Sequence, residues 1–188
     1  MRLGMNDSQL IEACKKKDRD AQKKLYEIYA PKMMGVCLRY CKNNETARDL
    51  LHDGFFRVFT RIGSYSGKGS FEGWMRRIFV NLAIENYRFE RKRNLMAIDM
   101  EQIESDFFVL SDDDSYDIGD ITQEEILYMI QQLPKSYRTV FNLFVFEDMS
   151  HKEIGKMLGI KESTSRSQYS RARAILREKI NAILKNKR

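Results

Sequence analysis

Between Arg93 and Lys135 the chain contains no lysine or arginine, yet the same interval holds eleven aspartates and glutamates. This gap limits the fold more than any other feature, because it divides 188 residues into two cationic blocks with an acidic stretch between them. Residues 1–93 carry 20 basic and 11 acidic side chains, residues 94–125 carry 0 and 11, and residues 126–188 carry 13 and 5. The block charges are therefore +9, −11 and +8, which the overall +6 conceals. Two such blocks predict two polyanion-binding modules that draw much of their affinity from counterions released by phosphates. On charge alone they could equally be solvated helix faces.

Only two prolines occur, Pro31 and Pro134, and strand-like alternation is scarce, so an all-α fold is expected. The spacing predicts helices near 7–15, 18–42, 45–62 and 71–92, with the Gly- and Ser-rich segment 63–70 as a loop. From Asn94 to Ile121 the periodicity is lost, and Ser111-Asp112-Asp113-Asp114-Ser115 marks a linker longer than compact domains use. As a flexible chain these 28 residues span about 30 Å, and roughly 90 Å when extended. Their composition fits a disordered tether, but a string of carboxylates could also occupy a channel built for nucleic acid. The expected organisation is a small helical domain over 1–93, an acidic linker over 94–121 and a second small helical domain over 122–188.

In the second block, Thr122 can cap a helix that runs through Leu133, and Pro134 suits the first turn of the next. That helix has an apolar face of Val140, Phe141, Phe144 and Val145. Ser150 and Glu153 then form a capping box, Gly159 ends a short helix, and a basic helix follows. Ala172, Leu176, Ile180 and Ile183 share one stripe of this last helix, whereas Arg166, Ser167, Ser170, Arg171 and Arg173 lie mostly off it. Gly155 and Gly159 fall at the close helix approach and at the turn. Short helix, glycine turn and basic helix suit entry into a DNA major groove; taken alone, they also suit an ordinary hairpin with a solvated basic face.

In the first block, Phe71, Trp74, Met75, Ile78, Phe79 and Leu82 repeat at helical spacing and read as core. Arg76, Arg77, Asn81 and Arg88 make the opposite side polar and basic, able to meet phosphates and base edges. The preceding loop contains Tyr65 and begins just beyond Phe55, Phe56 and Phe59, so it could receive an unstacked base or serve only as a connector.

Other chemistries fit poorly. Gly67-Lys68-Gly69 with Gly73 reads G-x-G-x-x-x-G, with no preceding strand and no phosphate-binding Lys-Ser/Thr pair. Asp112 to Asp120 does not match a calcium loop, because Tyr116 takes a ligand position. Cys14, Cys37 and Cys41 are too few for a disulfide framework, and Cys37, Cys41 and His52 lack the second paired set that a metal site needs. With two histidines and no acid pair in a recognisable pocket, neither an enzyme, a metal nor a cofactor is expected. No signal peptide is visible, and no apolar run approaches the roughly 18 residues that cross a bilayer. A soluble cytoplasmic protein is expected, for which the Asn44-Glu45-Thr46 sequon has no relevance.

Two separated segments resemble one family. The run from Ala47 to Phe59, ALA-ARG-ASP at its start and FFRVF at its end, together with Gly69-Ser70-Phe71-Glu72-Gly73-Trp74 and the helix to Ile84, resembles region 2 of the sigma-70 family. Leu133-Pro134 through Arg173 resembles its region 4. With no room for a region 3 domain, the layout resembles the extracytoplasmic-function group of bacterial sigma factors over nearly the whole chain. The resemblance implies an alternative sigma factor that binds core RNA polymerase, recognises −35 and −10 promoter elements and promotes melting. Asp49, Asp53, Phe56 and Phe59 would dock on the clamp coiled coil of the largest polymerase subunit. Tyr65, Ser66, Lys68, Phe71, Arg76, Arg77 and Asn81 would recognise and hold open the −10 element, with one non-template base flipped out. Arg166, Ser167, Ser170, Arg171 and Arg173 would read the −35 duplex, and the linker would thread toward the active-site and RNA-exit channels. An anti-sigma factor joins core polymerase and promoter DNA as a candidate partner. Ser165 departs from the branched apolar residue usual in the family, and Gln168 from a frequent Arg. A stand-alone helix-turn-helix regulator is the alternative, although no dimer helix is evident.

Overall fold

The computed structural model describes residues 7–97 and 121–186, with side chains as far as Arg93 and Lys185. Among the described residues all regular structure is helical. Most of the expected linker, residues 98–120, lies outside them. The chain divides into two compact units, Met1–Ala83 and Ile84–Arg188.

The first unit contains α1 (Asp7–Lys15), α2 (Arg19–Tyr40), α3 (Asn44–Arg61), a 3-10 turn (Ile62–Ser64) and the first half of α4 (Phe71–Ala97). Short polar side chains start the helices by accepting orphan amide protons: Asp18 takes that of Ala21 at 2.9 Å, and Asn43 that of Thr46 at 3.0 Å. Leu25, Met33, Cys37, Val58, Met75 and Phe79 are fully buried, each large apolar side chain contributing on the order of 1.5–3 kcal/mol. Phe55 joins α3 to its neighbours, with its ring centroid 4.6 Å from Tyr26 and 5.5 Å from Phe79. Gly54 makes that packing possible, since a Cβ there would stand 2.0 Å from Phe79 Cε1. α4 runs five residues past the expected end at 92, to Ala97, because no proline or glycine stops it.

The second unit contains α5 (Gln123–Gln131), α6 (Lys135–Val145), α7 (His151–Leu158) and α8 (Glu162–Asn186). Thr122 and Glu125 complete a capping box at the start of α5. α5 ends two residues before the expected Leu133, since proline disfavours the helical region for the residue ahead of it. Pro134 therefore caps α6 from outside rather than entering its first turn. The nearly buried Arg138 closes the end of α5, donating to the Gln131 carbonyl at 2.7 Å. On α6 the buried side is Val140, Asn142 and Leu143, while Val145, expected on the apolar face, is 45% exposed. Asn142 is tolerated there because its amide donates to the Arg138 carbonyl at 2.8 Å. Ala172 of the α8 stripe is buried, and Leu176, Ile180 and Ile183 are half-buried.

Candidate nucleic-acid interface

α7 and α8 form the expected helix-turn-helix. Ser150 and Glu153 make both bonds of the capping box, and the Ser150 hydroxyl, donating to the Glu153 carboxylate at 2.6 Å, holds that carboxyl below its usual range with help from the Ser150 amide at 2.9 Å. Gly159 adopts φ +66° at the end of α7, a conformation other residues rarely take. Gly155 is required for a different reason: a Cβ there would meet the Ile160 carbonyl oxygen at 2.9 Å, so the chain could not turn back as closely.

α8 is anchored from within by Ser165, which is fully buried and shares a 2.9 Å hydrogen bond with His151 Nδ1. The His151 ring stacks on Phe144 at 4.6 Å and lies 5.5 Å from Tyr169. A polar pair thus ties the start of α7 to the first turns of α8, at the position where Ser165 replaces the branched apolar residue usual in the family. Burial, and secondarily the Arg166 cation, depress the His151 pKa, which Glu162 partly opposes.

Of the residues expected to face DNA, Arg166 is exposed and paired with Glu162 at 2.6 Å. Ser167 donates to the Thr164 carbonyl at 3.0 Å, and Ser170 is half-exposed. Arg171 donates to the Tyr137 hydroxyl at 3.4 Å, and the Arg173 guanidinium lies 5.9 Å from the Tyr169 ring centre. Arg166 and Arg173 thus lie along α8 itself, whereas Arg171 reaches across to α6.

In the first unit a cleft of about 720 Å³ opens between α1, α2 and the segment 65–72. Its loop is braced rather than loose. Tyr65 donates its hydroxyl proton to the Gly69 carbonyl at 2.8 Å, and Ser70 caps α4 by accepting from the Gly73 amide at 3.0 Å. Gly67 and Gly69 have φ of +78° and +77°, which suits residues without a Cβ. Beneath the loop, Phe71 packs between Tyr65 at 5.0 Å, Trp74 at 5.4 Å and Tyr29 at 5.6 Å. Tyr65, Ser66 and Phe71 line this cleft, with Phe71 only 6% exposed at its floor. Lys68 is exposed outside the lining; Arg77 and Asn81 are exposed further along α4, and Arg76 is half-buried.

Two family descriptions match the chain: Sigma-70 region 2 over residues 25–93 and Sigma-70, region 4 over residues 123–176. The ECF RNA polymerase sigma factor SigW of Bacillus subtilis is 31% identical over 183 residues, covering 90% of this chain and 94% of that protein. The chain belongs to the extracytoplasmic-function group of the sigma-70 family. The RNA polymerase sigma-H factor of Pseudomonas aeruginosa is 27% identical over 186 residues, covering 95% of this sigma factor and 96% of its own length. A solved structure of the sigma factor RpoE with the anti-sigma factor NepR from Bartonella quintana aligns at a TM-score of 0.48 and 20% identity, covering 85% of this chain and 96% of that one. As an alternative sigma factor, this protein binds bacterial core RNA polymerase and promoter DNA, recognises −35 and −10 elements and promotes melting for initiation. The stand-alone regulator is not favoured.

On α3 of this sigma factor, Asp49, Asp53 and Phe56 are exposed at helical spacing, and Phe56 is 71% exposed. Phe59 is half-buried, its ring 6.0 Å from Phe55. The cleft also takes Asp7, Ser8, Glu12 and Lys15 from α1, and Tyr29 and Lys32 from α2. Nothing local in the sequence connects these residues with 65–72; only the amphipathic i, i+4 spacing of α1 hinted that it has an inward side. Among the described residues no group of His, Cys, Asp and Glu could hold a metal ion, and no helix is long and apolar enough to cross a membrane.

Proposed function

We propose that the −10 element is captured at the cleft beside the 65–70 loop and along α4, while α8 reads the −35 duplex. In this reading Tyr65, Ser66 and Phe71 surround the flipped non-template base, and Lys68, Arg76, Arg77 and Asn81 hold the strand. Arg166, Ser167, Ser170, Arg171 and Arg173 meet base edges and phosphates of the upstream duplex. Asp49, Asp53, Phe56 and Phe59 dock on the polymerase clamp. The observation that carries the reading is the cleft with its aromatic floor and hydrogen-bonded loop. A preformed site favours an unstacked base because every base has a face for stacking and an edge for hydrogen bonds. Arg77 and Asn81 continue the track, Asn81 standing about 15 Å along α4 from Phe71 by helical rise.

The proposed boundaries are 1–93 for the polymerase-binding and −10 module, 94–121 for the linker and 122–188 for the −35 module. The linker's acidic charge suits a path through the channels that RNA later occupies. The protein acts as an initiation factor in the cytoplasm and catalyses no reaction of its own. An anti-sigma protein is its proposed inhibitor.

The test is reconstituted transcription with core polymerase on a promoter recovered from a genomic fragment library. Replacing Asn81 with Ala is expected to reduce open-complex formation at least tenfold while leaving −35 duplex contacts intact. Unimpaired melting by this variant would overturn the strand track on α4.

A further inference from the structure

A second cluster of charge stands next to the cleft, where α1 turns into α2. Lys16, Lys17 and Arg19 are all exposed, and none of them forms an ion pair among the described residues. Two exposed carboxylates, Asp18 and Asp20, stand among them, Asp18 capping Ala21 at 2.9 Å, so residues 15–20 keep four cations against two anions. Lys15 joins this turn to the cleft: it lines the cleft, and its ammonium donates to the Tyr65 carbonyl at 3.4 Å and to Glu12 at 2.8 Å. The cations therefore begin where the Tyr65 end of the cleft stops.

The backbone supplies a second, independent observation. The Asp18 amide donates to the Ala13 carbonyl at 3.2 Å and the Lys17 amide to the Cys14 carbonyl at 2.9 Å, the paired bonds of a Schellman motif. Lys17 occupies its left-handed position with φ +63°, where glycine is the favoured residue. Folding alone would select glycine here. A lysine at the same place puts a cation at the apex of the turn, at a cost in backbone strain.

We propose that Lys16, Lys17 and Arg19 form a phosphate-binding site for single-stranded DNA, gripping the backbone next to the nucleotide held in the cleft. The site rests on the reading of the cleft as a base pocket, because a base inserted there brings its flanking phosphates past Lys15 to the turn. Three solvated cations on one short turn suit such phosphates, and the counterions they displace supply the affinity. The cleft selects the base; the turn holds the strand that carries it.

The experiment uses the reconstituted holoenzyme and fluorescent single-stranded oligonucleotides selected by it from a randomised pool, with binding measured across a salt series. The key variant is Lys17→Gly, which relieves the strained conformation while removing the charge. It is expected to melt at or above the wild-type temperature, to bind core polymerase equally well, and to lose about fivefold in oligonucleotide affinity at 0.1 M salt, with the log–log salt slope shallower by about 0.7. Methylphosphonate substitution beside the selected base should weaken wild type more than Lys17→Gly, which retains Lys16 and Arg19. An unchanged slope and affinity in the folded variant would overturn the site. So would a loss confined to core-polymerase binding, which would make the turn a protein contact, or a lower melting temperature with unchanged DNA binding, which would make Lys17 a helix-end stabiliser. Failure of the cleft reading has a separate signature: a pool with no base preference, even if the slope still shifts.

Discussion

His151 and Ser165 show how one polar pair can take over a packing role. The serine is fully buried, and its hydroxyl serves the imidazole that stacks between α6 and α8. Replacing Ser165 with Ala leaves a buried ring nitrogen without its partner, at an expected cost of about 1–3 kcal/mol in chemical denaturation. A change below a few tenths of a kcal/mol would make the bond incidental. The pair also sets a pH response. Because the folded state holds the imidazole below its ordinary value, neutral His151 makes no demand on stability above about pH 6.5. As pH falls through the unfolded value, the unfolded chain takes up a proton that the folded one resists, and stability declines until the folded pKa is passed. Melting temperatures between pH 7 and 5 are expected to fall more steeply for wild type than for His151→Gln; parallel curves would contradict this.

At the scale of the element, two glycines act through space and a third through backbone conformation. Gly54 lets α3 meet Phe79 of α4, and Gly155 lets the chain after α7 fold back against it. Gly159 supplies the left-handed turn. Gly54→Ala gains helix propensity but drives a methyl into a fully buried ring, so overpacking decides the sign. The expected loss is about 1–3 kcal/mol in urea unfolding of the full chain, together with weaker core-polymerase binding if α3 shifts. Equal or greater stability would mean that Phe79 can move aside.

At the scale of the whole molecule, the charge blocks make promoter binding sensitive to salt. Arg171→Ala should lower upstream duplex affinity and reduce the salt slope by about 0.9, the share of one phosphate contact on duplex DNA. Combined with Asn81→Ala, the losses in promoter binding by holoenzyme should add as free energies to within about 0.5 kcal/mol, since the two residues share no partner and sit in separate units. A much larger departure would mean that −35 and −10 recognition are coupled. Unchanged affinity and slope for Arg171→Ala would displace the −35 surface from this part of α8.

Helix content, the capping box at Ser150 and Glu153, the turn at Gly159 and the two cationic modules were all written in local pattern. Each depends on interactions within a few residues or on net charge, and these survive in the linear chain. What the pattern could not determine depended on residues far apart. The α1 side of the cleft needs Lys15 to reach Tyr65, fifty positions away. The burial of Ser165 needs His151 across the turn, and the need for Gly54 arises only once Phe79 is placed against it. Periodicity reports that a helix has an inward face. Which side chain it meets there is decided by packing, where a single ring or carbonyl oxygen admits one neighbour and excludes another.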